Sequence, residues 1–235
     1  MVKQAMIFAA GMGKRMLPLT ETIPKPLVKI NQDSLLVNNI KKLIQSNFDP
    51  IVINTFHFPG KIIDEVKDFK NHVNIVIEDI RLETGGGLLN CLKKKYLSWH
   101  SPILLLNSDV FWIDNFYSTL DLILENWNPK IMDLILCMKK KKELYGYKGK
   151  GDFNLYKNIS EYEKLIFSDN PDLVFTGLQI INPKILIKQK KKIFSLKESI
   201  IEGVERGKAY GLIDKNPWFH IGTVKDLNSI RKLLV

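Results

Sequence analysis

The chain has 235 residues, of which 45% are hydrophobic and 26% charged, so it is long enough for one α/β domain with a substantial core. It contains no run of about 18 apolar residues, which argues against a membrane span, and no signal-peptide pattern precedes its first apolar stretch. Its cysteines, Cys91 and Cys137, are too few for a disulfide framework, and a reducing compartment such as the cytoplasm fits them.

A net charge of +10 accompanies lysine-rich runs at residues 93–95, 139–142 and 188–192. Such a charge can attract nucleic acid or polyphosphate substrates. The runs lack the interleaved aromatic side chains of a stacking platform for single strands. We therefore interpret them as solvated surface and predict no nucleic-acid partner and no membrane partner. Nothing in the sequence indicates an obligate protein partner.

The first half of the chain alternates short apolar runs with segments of helical periodicity. The runs predict strands at residues 5–9, 51–54, 73–77, 103–106 and 133–138. The periodic segments predict helices at residues 34–46, 61–69, 87–95 and 114–127. Strands that alternate with helices imply a parallel sheet with helices on both faces, which binds its ligands beyond the carboxyl ends of the strands.

The second half is less regular. A loop rich in glycine and lysine is expected at residues 147–151. Strands are expected at residues 173–181 and 209–213, and helices at 195–206 and 224–234. Because neither an internal repeat nor a low-complexity linker occurs, we predict a single domain over residues 1–235. We expect its later part to pack over the sheet and to form the far wall of a cleft.

A glycine-rich segment, AAGMGKRM at residues 9–16, follows the first predicted strand directly. Gly11 and Gly13 allow the backbone to approach a phosphate closely, and their N–H groups can converge on an anion. The guanidinium of Arg15 adds donors that suit phosphate oxygens. The segment lacks the third glycine of a Rossmann fingerprint and the Gly-Lys-Ser/Thr of a Walker loop. We interpret it as a phosphate-binding loop, and the alternative is an ordinary turn at the end of a strand.

Lys25 lies between two prolines, in the segment PKP at residues 24–26. The prolines stiffen the backbone on both sides of the lysine. An ammonium group that is held in place can stabilise the charge of a reacting phosphate. The alternative is an exposed lysine in a proline-rich turn.

Together these segments resemble the signature of the sugar-1-phosphate nucleotidyltransferases. The resemblance continues through ETGGG at 83–87, NSD at 107–109, GDF at 151–153, FTG at 175–177 and WFHIGT at 218–223. The ordered set spans nearly the whole chain. Within the family, the length and the ETGGG segment are most similar to the N-acetylmuramate 1-phosphate uridylyltransferases. Short mannose 1-phosphate guanylyltransferases are similar as well.

The resemblance implies a Rossmann-like three-layer α/β/α sandwich with a mixed, mainly parallel sheet. It also implies that a sugar phosphate oxygen attacks the α-phosphorus of a nucleoside triphosphate and releases pyrophosphate. We expect the nucleoside triphosphate to be UTP. Relatives often carry a C-terminal β-helix domain, which we do not expect here. Guanylyl transfer, cytidylyl transfer to a phospho-alcohol, and a nucleotide-sugar-binding module without catalysis are alternatives.

The same resemblance assigns candidate residues to each substrate. Those implied to bind the nucleoside triphosphate are Ala10, Gly11, Gly13, Lys14, Arg15, Lys25 and Gly86. Those implied to bind the sugar phosphate are Asn107, Gly151, Asp152, Thr176 and Gly177. The implied catalytic residues are Arg15, Lys25 and Asp109. Glycines at 85–87 are expected to form a loop that lets the base or ribose lie against the backbone.

The metal site implied by the family contains one unusual residue. Asp109 follows an apolar strand and is well placed to bind Mg²⁺. His220 stands where the family normally has a second aspartate, and imidazole suits Mn²⁺ better than Mg²⁺. The chain could use Mn²⁺ with both residues, hold Mg²⁺ without His220, or be weakened. A histidine packed beside Trp218 is the structural alternative, and we do not assign a ligand role to Asp214.

Overall fold

The computed structural model of the protein describes residues 1–156 and 162–234. Its strands are β1 (Gln4–Phe8), β2 (Ile51–Thr55), β3 (Val73–Ile77), β4 (Ile103–Asn107), β5 (Val110–Trp112), β6 (Leu134–Lys140), β7 (Leu144–Tyr145), β8 (Asn154–Tyr156), β9 (Lys164–Ile166), β10 (Leu173–Ile181), β11 (Ala209–Ile213) and β12 (Trp218–His220). Its α-helices are α1 (Leu35–Gln45), α2 (Pro59–Val66), α3 (Glu83–Lys93), α4 (Thr119–Glu125), α5 (Leu196–Glu205) and α6 (Val224–Leu233).

Within the described residues, the main sheet has nine strands in the order β3-β2-β1-β4-β10-β6-β11-β9-β8. The strands β3, β2, β1 and β4 run parallel, whereas β10 lies antiparallel between β4 and β6. The predicted α/β fold with a mixed sheet is therefore confirmed. The prediction that the later part packs over the sheet is confirmed for α5, which covers one face, whereas β8 to β11 extend the sheet itself.

Helices cover both faces of this sheet. Alternate residues of a strand point to opposite faces, so Ile7 joins a core with Ile40 of α1 and Ile62 of α2. On the other face, Met6 joins a core with Leu88 of α3 and residues of α5. The result is the three-layer arrangement that the sequence predicts.

Two predicted helices begin four or five residues away from their observed starts. We predict a helix at 114–127, but α4 begins at Thr119 because the carboxylate of Asp114 accepts hydrogen bonds from Trp112 Nε1 and Thr119 N, at 2.8 and 2.9 Å. Asp114 thus belongs to the turn that precedes the helix. The helix predicted at 87–95 begins four residues earlier, at Glu83.

A buried polar cluster positions β12, the strand that carries His220. Asp214 is fully buried, and its carboxylate accepts hydrogen bonds from Thr119 Oγ1 and Trp218 Nε1, at 2.7 and 2.6 Å. Lys139 Nζ donates to the backbone carbonyls of Asp214 and Asn216, both at 3.0 Å. The prediction of solvated surface is therefore wrong for Lys139, since its ammonium satisfies buried carbonyls. Asp214 has a structural role.

No helix in the described parts of the chain combines the length and apolar character that crossing a membrane requires. Cys91 and Cys137 are buried free thiols. Burial raises the pKa of the Cys91 thiol to about 12, which leaves it protonated at neutral pH.

Candidate active site

The candidate site lies where three parallel strands end together. Phe8 of β1 pairs with Asn54 of β2 on one side and with Asn107 of β4 on the other. The segments that leave these strands border a cleft of about 580 Å³. Its lining residues are Phe8, Ala10, Gly11, Met12, Gly13, Lys14, Arg15, Met16, Lys25, Pro26, Asn54, Arg81, Glu83, Thr84, Asn107, Ser108, Asp109 and Ser195.

The glycine-rich segment folds back over the lysine segment. Gly13 has a left-handed backbone with φ 63°, and its carbonyl accepts a hydrogen bond from Thr20 Oγ1 at 2.9 Å. A Cβ at Gly13 would lie 3.0 Å from Thr20 Cγ2 and 3.2 Å from Lys25 Cβ. The left-handed backbone and the small space both favour glycine at this position. Met16 is buried beneath the following turn, which leaves Arg15 exposed at the cleft.

Lys25 and Asp109 form an ion pair in this cleft. Lys25 Nζ donates to Asp109 Oδ2 at 2.6 Å, and the two side chains are 10% and 33% exposed. A largely buried ammonium is costly without a negative partner, and Asp109 provides it. The structure thus brings two predicted catalytic residues into contact and places the third, Arg15, on the same cleft.

His220 lies beside this pair, because it is opposite Val110 in the antiparallel pairing of β12 with β5. Burial lowers its pKa, and the charges of Lys25 and Arg15 lower it further, although Asp109 opposes them. The imidazole is therefore neutral at pH 7, with a lone pair available to a cation. Its ring also contacts the Tyr147 ring edge-on, with centroids 5.9 Å apart.

The donor set around Asp109 and His220 mixes one carboxylate with one imidazole. The described residues include no group of three or more His, Cys, Asp or Glu side chains placed to hold a metal ion. A cation held here would need further oxygen ligands from a phosphate or from water. This mixture fits Mn²⁺ better than Mg²⁺.

Two predicted sugar-binding residues, Thr176 and Gly177, lie on β10, the strand next to β4, which ends at Asn107. Gly177 has φ 95°, and a Cβ there would lie 2.8 Å from Asn107 Nδ2. Thr176 Oγ1 donates to the carbonyl of Cys137 at 2.9 Å. Of these three residues, only Asn107 lines the cleft, and the sugar-binding role of Thr176 and Gly177 stays a prediction.

Gly151 and Asp152 lie outside the cleft lining. The carboxylate of Asp152 accepts a hydrogen bond from Phe175 N at 2.9 Å, and Gly151 N donates to the Tyr147 hydroxyl at 3.1 Å. Both contacts order a loop next to β10. Their predicted role in sugar binding stays a prediction.

The glycines at 85–87 are buried inside α3, so the expected loop is wrong. A Cβ on Gly85 would lie 2.2 Å from the Phe194 ring, and one on Gly86 would lie 2.3 Å from the Lys192 carbonyl. The N–H groups of both glycines donate to the Phe194 carbonyl. Close packing explains these glycines, and the nucleotide role assigned to Gly86 stays a prediction.

Sequence reasoning missed one wall of the cleft, formed by Arg81, Glu83 and Thr84 at the start of α3 and by Ser195. Ser195 is brought there by the contact of residues 192–194 with α3, which no local pattern reveals. Asn54 was also missed. Its position at the end of an apolar strand is a signal that could have found it.

A family model described as nucleotidyl transferase matches residues 4–234. The chain belongs to the nucleotidyl transferase family. Among curated relatives, this nucleotidyl transferase is 29% identical over 229 residues to the N-acetylmuramate alpha-1-phosphate uridylyltransferase of Caulobacter vibrioides. The alignment covers 94% of this chain and 92% of that protein. The chain is 25% identical over 250 residues to the mannose-1-phosphate guanyltransferase of Schizosaccharomyces pombe, covering 97% of this chain and 66% of that protein.

Solved structures support the fold of this nucleotidyl transferase. A UDP-glucose pyrophosphorylase complexed with UDP-glucose superposes with a TM-score of 0.78 at 16% identity, covering 100% of this chain and 98% of that chain. HddC from Yersinia pseudotuberculosis, complexed with GMP-PN, superposes with a TM-score of 0.75 at 20% identity and covers both chains completely. They confirm the fold that the resemblance implies, a Rossmann-like three-layer α/β/α sandwich with a mixed, mainly parallel sheet.

We predict that Gly86→Ala destabilises the protein, since its methyl group would meet the Lys192 backbone carbonyl. The expected loss is about 1–3 kcal/mol in the free energy of unfolding, as for other overpacked sites. Thermal denaturation measures it. Gly60→Ala is the control, because a Cβ on this helical glycine meets nothing within 4 Å. That variant should be as stable as the parent or more stable, and equal stability of both variants would contradict the packing role.

Proposed function

We propose that this chain transfers a nucleoside monophosphate from a nucleoside triphosphate to a sugar 1-phosphate and releases pyrophosphate. The observation that carries the proposal is the cleft that joins the glycine-rich segment, Arg15, and the ion pair of Lys25 with Asp109. Family membership supports the same activity. This activity would place the protein with its substrates in the cytoplasm.

For the substrates, we propose UTP and N-acetylmuramate 1-phosphate, a sugar of the cell wall. The support is similarity along nearly the full length of two curated uridylyltransferases, those of Caulobacter vibrioides and Neisseria meningitidis. The Neisseria protein is 27% identical over 235 residues. GTP with mannose 1-phosphate is the second candidate, which the Schizosaccharomyces pombe relative favours.

The residues of the cleft suit an in-line displacement at phosphorus, which depends on positioning and on charge neutralisation more than on covalent help. The backbone of residues 10–13 would hold the triphosphate, with Arg15 on its oxygens. Lys25 is held within the cleft and would stabilise the charge that develops on the reacting phosphates. Asn107, beside Asp109, would bond to the sugar.

We also propose that a divalent cation, Mn²⁺ in preference to Mg²⁺, is held by Asp109 and His220. Their neighbouring positions and the neutral imidazole support this. A bound cation would neutralise phosphate charge and so favour attack on phosphorus. Lys25 would then exchange its contact with Asp109 for contacts with phosphate oxygens.

Pyrophosphate release tests the function. Four nucleoside triphosphates are each combined with a panel of sugar 1-phosphates, once with Mg²⁺ and once with Mn²⁺. We expect release with UTP and N-acetylmuramate 1-phosphate. Release with GTP and mannose 1-phosphate alone would support the second candidate. Nucleotide binding without release from any pair would refute transferase activity and support a nucleotide-sugar-binding module.

We predict that Lys25→Ala lowers kcat by about 10²–10³-fold, the usual effect of removing a preorganised charge from a transition state. Steady-state pyrophosphate release measures this effect, and circular dichroism checks the fold. The control is Lys41→Ala, which removes an exposed lysine paired with Asp33 at 2.6 Å. It should leave kcat unchanged. Equal activity of the two variants would remove Lys25 from the mechanism.

We predict that His220→Asp shifts the metal preference toward Mg²⁺, because a carboxylate oxygen replaces the imidazole nitrogen. The measurement is the ratio of kcat/KM with Mg²⁺ to that with Mn²⁺, which should rise at least about tenfold, since even the loss of a residue that only orients a metal ligand commonly has an effect of that size. His100→Asp, a change of the same type at an exposed site, is the control. An unchanged ratio in the first variant would show that His220 is not a ligand.

A further inference from the structure

A chain of buried hydrogen bonds crosses beneath the cleft. Glu78 follows β3 and is only 4% exposed. Its Oε1 accepts a hydrogen bond from Asn54 Nδ2 at 2.7 Å, and its Oε2 accepts one from Leu82 N at 3.0 Å. Asn54 Oδ1 accepts one from Ala9 N at 3.3 Å. Two side chains therefore connect the backbone of Ala9 to that of Leu82.

The two ends of this chain belong to opposite walls of the cleft. Ala9 begins the glycine-rich segment that holds Arg15. Leu82 is the N-cap of α3, whose first residues Glu83 and Thr84 line the other wall. The side chains of Asn54 and Glu78 thus connect the two walls, in addition to the backbone bonds from Ala9 N to the Asn54 carbonyl at 3.1 Å and from Glu78 N to the Thr55 carbonyl at 2.8 Å.

We propose that Asn54 and Glu78 form a positioning pair that sets the distance between the glycine-rich segment and α3, and thereby the affinity for the nucleoside triphosphate. This inference rests on the proposed function. Neither residue needs to take part in the chemistry. The pair acts by fixing the backbone groups and side chains that would surround the nucleotide.

The polarity of the pair argues for positioning over simple packing. A buried carboxylate costs stability unless donors surround it, and an apolar pair would fill the same space more favourably. Here Glu78 is held by two N–H donors and by the positive end of α3. A Cβ on Gly87 would lie 2.7 Å from Asn54 Nδ2 and 2.8 Å from Glu78 Oε1, so α3 rests directly on the pair.

The hydrogen-bond directions allow a stringent test. In Glu78→Gln, the new amide nitrogen faces a donor, Asn54 Nδ2 or Leu82 N, unless the Asn54 amide turns over, which gives up the bond from Ala9 N to Asn54 Oδ1. In Asn54→Asp, two carboxylates meet across 2.7 Å. The double variant Asn54→Asp/Glu78→Gln restores every bond. The introduced amide donates to the introduced carboxylate, whose other oxygen accepts from Ala9 N, while the amide oxygen accepts from Leu82 N.

The experiment measures the Kd for the nucleoside triphosphate by calorimetry, and the KM of each substrate, well below the unfolding temperature of each variant. We expect Glu78→Gln to raise the Kd and KM for the nucleotide by about tenfold or more, since small displacements in a binding site are costly. The KM for the sugar 1-phosphate should stay unchanged. The double variant should return the nucleotide values to those of the parent.

The matched control is Gln4→Leu, at the opposite end of β1. Gln4 is also buried, and its Nε2 donates to the carbonyls of Ser98 and Ser101, at 2.9 and 2.8 Å. Loss of these hydrogen bonds in Gln4→Leu should lower the unfolding temperature and leave the Kd for the nucleotide unchanged. This control separates positioning from a general loss of stability.

Two results would overturn the inference: parental nucleotide affinity in Glu78→Gln, or weakened affinity that the double variant does not restore. If Glu78→Gln does not fold, Asn54→Ala replaces it. It removes both side-chain bonds of Asn54 and keeps the backbone bond from Ala9 N to residue 54 and the bond from Leu82 N to Glu78. Parental affinity there overturns the inference. A parent that binds nucleotide but releases no pyrophosphate refutes the proposed function alone, since the Kd still tests the pair. A parent that binds no nucleotide refutes both.

Discussion

The parallel pairing of β1 with β2 and β4 is the constraint on which the rest of the site depends. Because Phe8 lies opposite both Asn54 and Asn107, the glycine-rich segment must leave the sheet between the ends of its two neighbours. A shift of register by one residue would turn every side chain of β1 to the other face. The cores on the two faces, which share β1 between them, therefore fix the position of the glycine-rich segment.

Charge balance within the cleft depends on the same arrangement. Lys25 comes from a turn after the glycine-rich segment, and Asp109 comes from the segment after β4, so the sheet and the folded glycine-rich segment bring them together. Without a negative partner, an ammonium so deeply buried would cost stability. The ion pair with Asp109 offsets that cost and holds the ammonium in place.

Much of the fold could be predicted, because buried parallel strands are short continuous apolar runs. The strand at 73–77 was predicted at its observed bounds, and those that form β1, β2 and β4 within one residue. The short strands β5, β7 and β12 could not be predicted, because two or three residues carry no periodicity. The site was predictable where motifs follow strands directly. The pairing of Asn54 with Glu78 could not be predicted, because it consists of hydrogen bonds between segments that are distant in sequence.

The glycines of α3 have a consequence for the order in which the protein is made. Glycine is the weakest helix former after proline, so Gly85 and Gly86 depend for helical stability on their cover, the segment 192–194. During synthesis on the ribosome, that cover emerges more than a hundred residues after the glycines themselves. The first half of the chain can assemble its parallel strands early. The wall of the cleft at the start of α3 gains its final form only when most of the chain has been translated.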